Sequence, residues 1–245
     1  MNNLALYVTI NYPTRKTFFE ILDVIEQFQV GFVEIGIPVE NPHLDGEVVR
    51  KTQELVYPEL SQEEIVSVLQ EIRQRYQFKV ILMTYQQGVE HFQLSQIPQH
   101  LYDAVLCVDE DLDPKKYPGL VHIFTNQLEP TTIDEQLANS TQFVYVVSGE
   151  GKTGEFEQLP DDYLQLLPYI KEQTKLPVFV GFGVKTVEDV ASILANGADG
   201  AIIGSEFIKH FNQSQLFGIV NYLKELEAVC GKRQLTESRK VKKLL

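Results

Sequence analysis

The 245-residue sequence predicts a single-domain α/β fold, a (β/α)8 TIM barrel. Three observations predict it. Eight short apolar, β-branched runs recur along the chain, and segments of helical period separate most of them. No strand–helix turn carries the glycine-rich fingerprint of a dinucleotide-binding sheet, so a doubly wound open sheet is the second reading. A chain of this length needs no second domain.

The first run, LALYVTI (residues 4–10), is apolar on both faces, as a strand wrapped by helices must be. TRKTFFEILDVIEQF (14–28) has helical period, and FVEIGI (32–37) is the second strand. SQEEIVSVLQEIRQRY (61–76) opens on a Ser61–Glu64 capping box. KVILMTY (79–85) is followed by the helical GVEHFQLSQ (88–96), and AVLCV (104–108) by DEDLDPKKYPG, whose prolines and glycine suit only a turn. VHIF (121–124) leads to TIDEQLA (132–138), and FVYVVS (143–148) to DDYLQLLPYIKEQ (161–173), which Pro168 should kink or split. PVFVGFG (177–183) precedes TVEDVASILANG (186–197), with Gly197 at the position of a C′ glycine. GAIIGS (200–205) completes the strands, and QSQLFGIVNYLKELEAV (213–229) is the last helix. The barrel is expected over residues 1–230, with 231–245 as a basic tail.

A formal charge of −13 argues against nucleic acid as a partner of the main body. From Lys232 onward six Lys or Arg face one Glu, the composition of a solvated or frayed tail. No apolar run is long enough to cross a bilayer, and the N-terminus lacks a basic n-region and cleavage site. With two cysteines, Cys107 and Cys230, a disulfide framework is not expected, and the sequence predicts a soluble, cytoplasmic protein. The five histidines show no metal-ligand spacing, so no metal is expected.

Barrel chemistry collects where strands end. After the seventh and eighth strands, GFGVKT and GSEF place Gly181, Gly183, Gly204 and Ser205 where backbone N–H groups and helix N-termini can hold a phosphate monoester. The sixth loop, SGEGKTGEF, adds Gly151, Thr153 and Gly154 and could close over the same ligand. In the second strand Glu34 puts a carboxylate inside an apolar run, which is costly unless it is solvated, paired or used. Asp45 follows in an Asp-Gly turn. One acid in a desolvated site and one in a polar loop suit an acid/base and an orienter, although a salt-bridged Glu34 and a plain turn at Asp45 are the structural alternatives.

These residues resemble the tryptophan synthase α subunit family. EIGIPVENPHLDGE matches its E-[LI]-G-[IV]-P-F-S-D-P-x-A-D-G-P at Glu34, Gly36, Pro38, Pro42, Asp45 and Gly46. LMTYQQG, YVVSGEGKTG, GFGVKT and DGAIIGS continue the likeness in order. The resemblance implies a lyase of tryptophan biosynthesis that cleaves indole-3-glycerol phosphate to indole and glyceraldehyde 3-phosphate without a cofactor. It implies Glu34 as the acid/base, Asp45 as acceptor of the indole N–H, and Tyr145 near Glu34. Tyr7 would pack on the indole, with Thr153, Gly154, Phe182, Gly183, Gly204 and Ser205 around the phosphate. The implied partner is a β subunit in an α2β2 complex. The motif departs at Val39-Glu40-Asn41, Leu44, Glu47 and Gly149, partly in the loop that meets that subunit. A paralogue acting on another phosphorylated substrate and a non-catalytic, phosphate-ligand-binding regulator therefore stay open beside the lyase.

Overall fold

The structure, a computed structural model, describes residues 1–149 and 158–242, with 231–242 by backbone alone. Eight parallel strands, β1 (Leu4–Thr9), β2 (Phe32–Gly36), β3 (Lys79–Thr84), β4 (Ala104–Cys107), β5 (Ile123–Phe124), β6 (Val144–Val147), β7 (Val178–Gly181) and β8 (Gly200–Ile203), pair in the order β4-β3-β2-β1-β8-β7-β6-β5. The two edges meet just before β5. Val105 donates to the Gly119 carbonyl at 3.0 Å and accepts from Val121 N–H at 2.9 Å, which closes the expected barrel.

Strand alternation separates two cores. Leu4, Leu6 and Val8 of β1, like Val33 and Ile35 of β2, pack outward among the helices. Ala5, Ile81, Leu106, Phe179 and Ile202 fill the barrel itself. At its N-terminal end Phe32, Phe143 and Phe179 form a ring cluster with centroids 5.0 to 5.3 Å apart. Each such pair contributes about 0.5–1.5 kcal/mol beyond its buried area. The floor is thus filled with aromatic carbon, and room for a ligand lies at the other end.

Around the sheet run α1 (Arg15–Gln27), α2 (Glu47–Val56), α3 (Gln62–Arg75), α4 (Gln86–His91), α5 (Pro130–Asn139), α6 (Tyr163–Gln173), α7 (Val187–Ala195) and α8 (Ser205–Lys242). Ser61 caps α3 by accepting Glu64 N–H at 3.2 Å, and Gly197 has φ +102° beyond α7, as their spacing predicts. Between β4 and β5 stands only a short 3-10 turn, Pro114–Lys116.

Three expectations need correction. The apolar pattern predicts no helix between the second strand and residue 61, yet EVVRKTQELV forms α2: its buried positions, Val49, Thr52, Gln53 and Val56, have helical spacing but are half polar. The last helix begins at Ser205, eight residues early, and breaks at Ser214 and Gln215 before continuing. Of the two outcomes expected at Pro168, the split does not occur: α6 runs through the proline, with Leu166, Leu167 and Ile170 buried on both sides of it. Among the described residues, no helix is long and apolar enough to cross a membrane.

Candidate active site

Glu34 follows Phe32 on the inward face of β2, so its side chain rises above the aromatic floor into the barrel mouth. It is 1% exposed, and its Oε1 has no hydrogen-bond partner. Among the described residues, no cation pairs with it. Desolvation alone lifts its pKa from 4.5 to about 8, so at neutral pH the carboxyl keeps its proton. An apolar strand can hold Glu34 only in that neutral form, and the uncommitted oxygen faces a cavity.

That cavity is lined by Tyr7, Glu34, Asp45, Tyr145, Gly183, Gly204 and Ser205, together with Phe182 and Val184. The acid from β2 and the glycine-rich ends of β7 and β8 therefore share one space. Glu34 thus faces the glycine loops, and among the described residues no salt bridge turns it away. Tyr7 on β1 and Tyr145 on β6 are buried walls, and burial raises both phenol pKa values. Glycines opposite make room for them. A Cβ on Gly36 would sit 2.1 Å from the Tyr7 hydroxyl, and one on Gly181 would sit 2.6 Å from the Tyr145 ring.

Asp45 sits in the turn before α2. Its Oδ2 accepts from the Tyr85 hydroxyl at 2.9 Å and from Gln53 Nε2 at 2.8 Å. Desolvation raises its pKa to about 6, against the lowering effect of the two hydrogen bonds and of His43. Near pH 7 the site thus holds one protonated and one ionised carboxyl, an acid and an acceptor in one mouth.

On the glycine-loop side, Phe182 has φ +79° and Gly183 φ +72°. For a phenylalanine that backbone costs about 1–3 kcal/mol, and the Ser148 hydroxyl holds it by donating to the Phe182 carbonyl. Because α8 starts at Ser205 and not near 213, its N-terminus opens directly on the cavity and adds its dipole there. Thr153 and Gly154, with the expected sixth-loop closure, lie outside the described residues.

A second chamber continues outward, sharing Asp45, Met83, Tyr145 and Phe182 with the first. Its walls, Leu44, Val108, Ile123 and Val147, are apolar, with Thr125, Asn126 and Asp162 at the rim. The apolar chamber and the glycine-lined cavity thus meet at Asp45. Sequence reading missed Tyr85 and Gln53. Tyr85 stood in a quoted motif without a role, whereas Gln53 was hidden by the failure to see α2. Among the described residues, no group of acids, histidines or cysteines could hold a metal ion.

Comparison with known proteins gives concordant results. The family model described as tryptophan synthase alpha chain matches residues 1–239. The tryptophan synthase alpha chain of Thermococcus kodakarensis is 33% identical over 233 residues, covering 87% of this chain and 90% of that one. That of Pyrococcus furiosus is 31% identical over 227 residues, covering 84% and 89%. A solved alpha subunit from the tryptophan synthase α2β2 complex of Pyrococcus furiosus superposes with a TM-score of 0.80 at 24% identity, over 93% of this chain and 98% of that one.

Proposed function

The chain belongs to the tryptophan synthase alpha chain family, and from that membership we propose how its barrel mouth works. The protein is a carbon–carbon lyase of tryptophan biosynthesis, cleaving indole-3-glycerol phosphate to indole and glyceraldehyde 3-phosphate. One observation carries the assignment of roles. Glu34 is a buried, unpaired carboxyl with its pKa near 8, in the same cavity as Gly183, Gly204 and Ser205.

In this reading the phosphate rests on the backbone at Gly183, Gly204 and Ser205, with Thr153 and Gly154 contributing from the sixth loop. The indole lies in the apolar chamber among Tyr7, Tyr145 and Phe182. Glu34 gives its proton to indole C3, turning the aromatic ring into an indolenine that can act as an electron sink. Asp45, ionised, accepts the ring N–H and stabilises the positive charge that grows there. The carboxylate left at Glu34 takes the proton of the glycerol hydroxyl as the carbon–carbon bond breaks, and the pair of electrons returns to the ring. Tyr145 keeps water from Glu34. Anchoring the phosphate places C3 beside the acid, so binding energy remote from the reacting bond is used for alignment.

A tryptophan synthase β subunit is the protein partner, docking over the mouth, where Leu44 is 43% exposed although it lines the indole chamber. Purified protein incubated with indole-3-glycerol phosphate should release indole, faster with a cognate β subunit present. Release of no indole under either condition removes the assignment. An unchanged rate, with no co-elution of the two chains, removes the partner alone.

A further inference from the structure

We propose that Gln53 of α2 is a positioning residue for the reaction, its amide fixed by the Val39 N–H so that it aims Asp45 at the ligand. The inference rests on the role given to Asp45 above. It begins from a count of protons. The Thr52 hydroxyl donates to the Val49 carbonyl at 2.6 Å, one helical turn back. Its single proton is committed there, so in the 2.6 Å contact with Thr9 it must accept. The Thr9 proton is then committed too, and at 3.2 Å the Tyr7 hydroxyl must be the donor. The Tyr7 oxygen is left as an acceptor, close to Asp45 and Gln53, whose electrostatics both act on its phenol.

Gln53 is fixed from its other side as well. Its Oε1 accepts Val39 N–H at 3.1 Å, which decides the end of the amide that is oxygen, and Nε2 then donates to Asp45 Oδ2 at 2.8 Å. Tyr85 completes the clamp, donating to the same oxygen and accepting Leu44 N–H at 3.1 Å. Every group in the chain is buried: Thr52 is 0% exposed, Thr9 1%, Gln53 3% and Tyr7 5%. Turning the Gln53 amide over would leave the buried Val39 N–H without its acceptor and set an oxygen against Asp45, at a cost of about 1–3 kcal/mol. Oδ2 therefore always meets donors, the carboxylate form is favoured, and Oδ1 is left to face the ring nitrogen.

The test compares Gln53→Leu, near-isosteric Gln53→Glu and Thr52→Val with the parent protein. Two readouts are taken: the titration of the Asp45 carboxyl by carbon-13 NMR in the unliganded protein, and kcat/KM for indole release against pH. Losing a hydrogen bond to a charged group should raise the Asp45 pKa by about one unit in the Leu variant, and the Glu variant should raise it further through like charge. The acid limb of kcat/KM should move with it, giving about a tenfold loss on the acid side with little change in KM. Thr52→Val, in the neighbouring hydroxyl chain, is the control and should leave the Asp45 titration where it is. Should the Leu variant not fold, the Glu variant decides. An unmoved Asp45 titration in the folded Gln53 variants overturns the inference while leaving the lyase intact. A parent protein that releases no indole but whose Asp45 shifts as expected overturns the lyase reading alone.

Discussion

Glu34 shows how a single residue trades stability for chemistry. Its pKa is about 8 in the folded chain and 4.5 when exposed, so between these values the unfolded chain has lost a proton that the folded chain keeps. The folded state then binds more protons, and stability falls as pH rises from about 4.5 to about 8. Glu34→Gln removes this dependence. It should raise stability more at pH 9 than at pH 5, by on the order of a few kcal/mol, and the melting temperature with it, while indole release disappears and ligand binding persists. Thermal melts at both pH values, with turnover, check it. The same two pKa values set activity. The profile of kcat/KM should be bell-shaped, with its acid limb near 6 from Asp45 and its alkaline limb near 8 from Glu34. Gly36→Ala tests the packing beside them: its Cβ would meet the Tyr7 hydroxyl at 2.1 Å, so Tyr7 must move. A loss of about 1–3 kcal/mol in urea unfolding is expected, together with slower turnover as the Tyr7 wall of the site shifts.

At the scale of elements, α2 and α8 separate what a pattern reveals from what it hides. A helix is visible in sequence when its buried stripe is apolar, as in α1, where Phe18, Ile21, Leu22 and Ile25 are all inside. The buried stripe of α2 carries Thr52 and Gln53 because it faces polar partners on β1 and in the Asp45 turn, so an apolar period cannot find it. Its functional residue and its invisibility have the same cause. For α8, the residues after β8 were readable as a phosphate loop, but that Ser205 is already helical depends on Phe207, Ile208 and Phe211 packing against the barrel. Ser205→Asp would place a carboxylate where the phosphate rests. KM for indole-3-glycerol phosphate should rise at least about tenfold with kcat changed less, measured by steady-state kinetics.

The whole molecule is a filled cylinder with one functional end. Phe143→Ala would open a cavity in the floor and cost about 3–5 kcal/mol, a fall of roughly 10 °C in melting temperature for a chain of this size. The site would stay in place, since floor and mouth are different layers of the same strands. The tail from 231 to 245 we propose to be dispensable for the barrel: a chain ending at Cys230 should melt within about 3 °C of the parent and release indole at the same rate. By itself the sequence determined the eight strands, their burial on both faces and the motifs at Glu34, Asp45 and the glycine loops, because strand alternation and turn chemistry are local properties that a few neighbouring residues fix. Only the tertiary structure decided that Glu34 is buried and unpaired, that α2 exists, and that Gln53 and Tyr85 reach Asp45. Those facts depend on contacts such as Thr9 with Thr52, 43 positions apart in the chain, and a carboxyl's proton affinity is set by everything that surrounds it, not by the residues beside it in sequence.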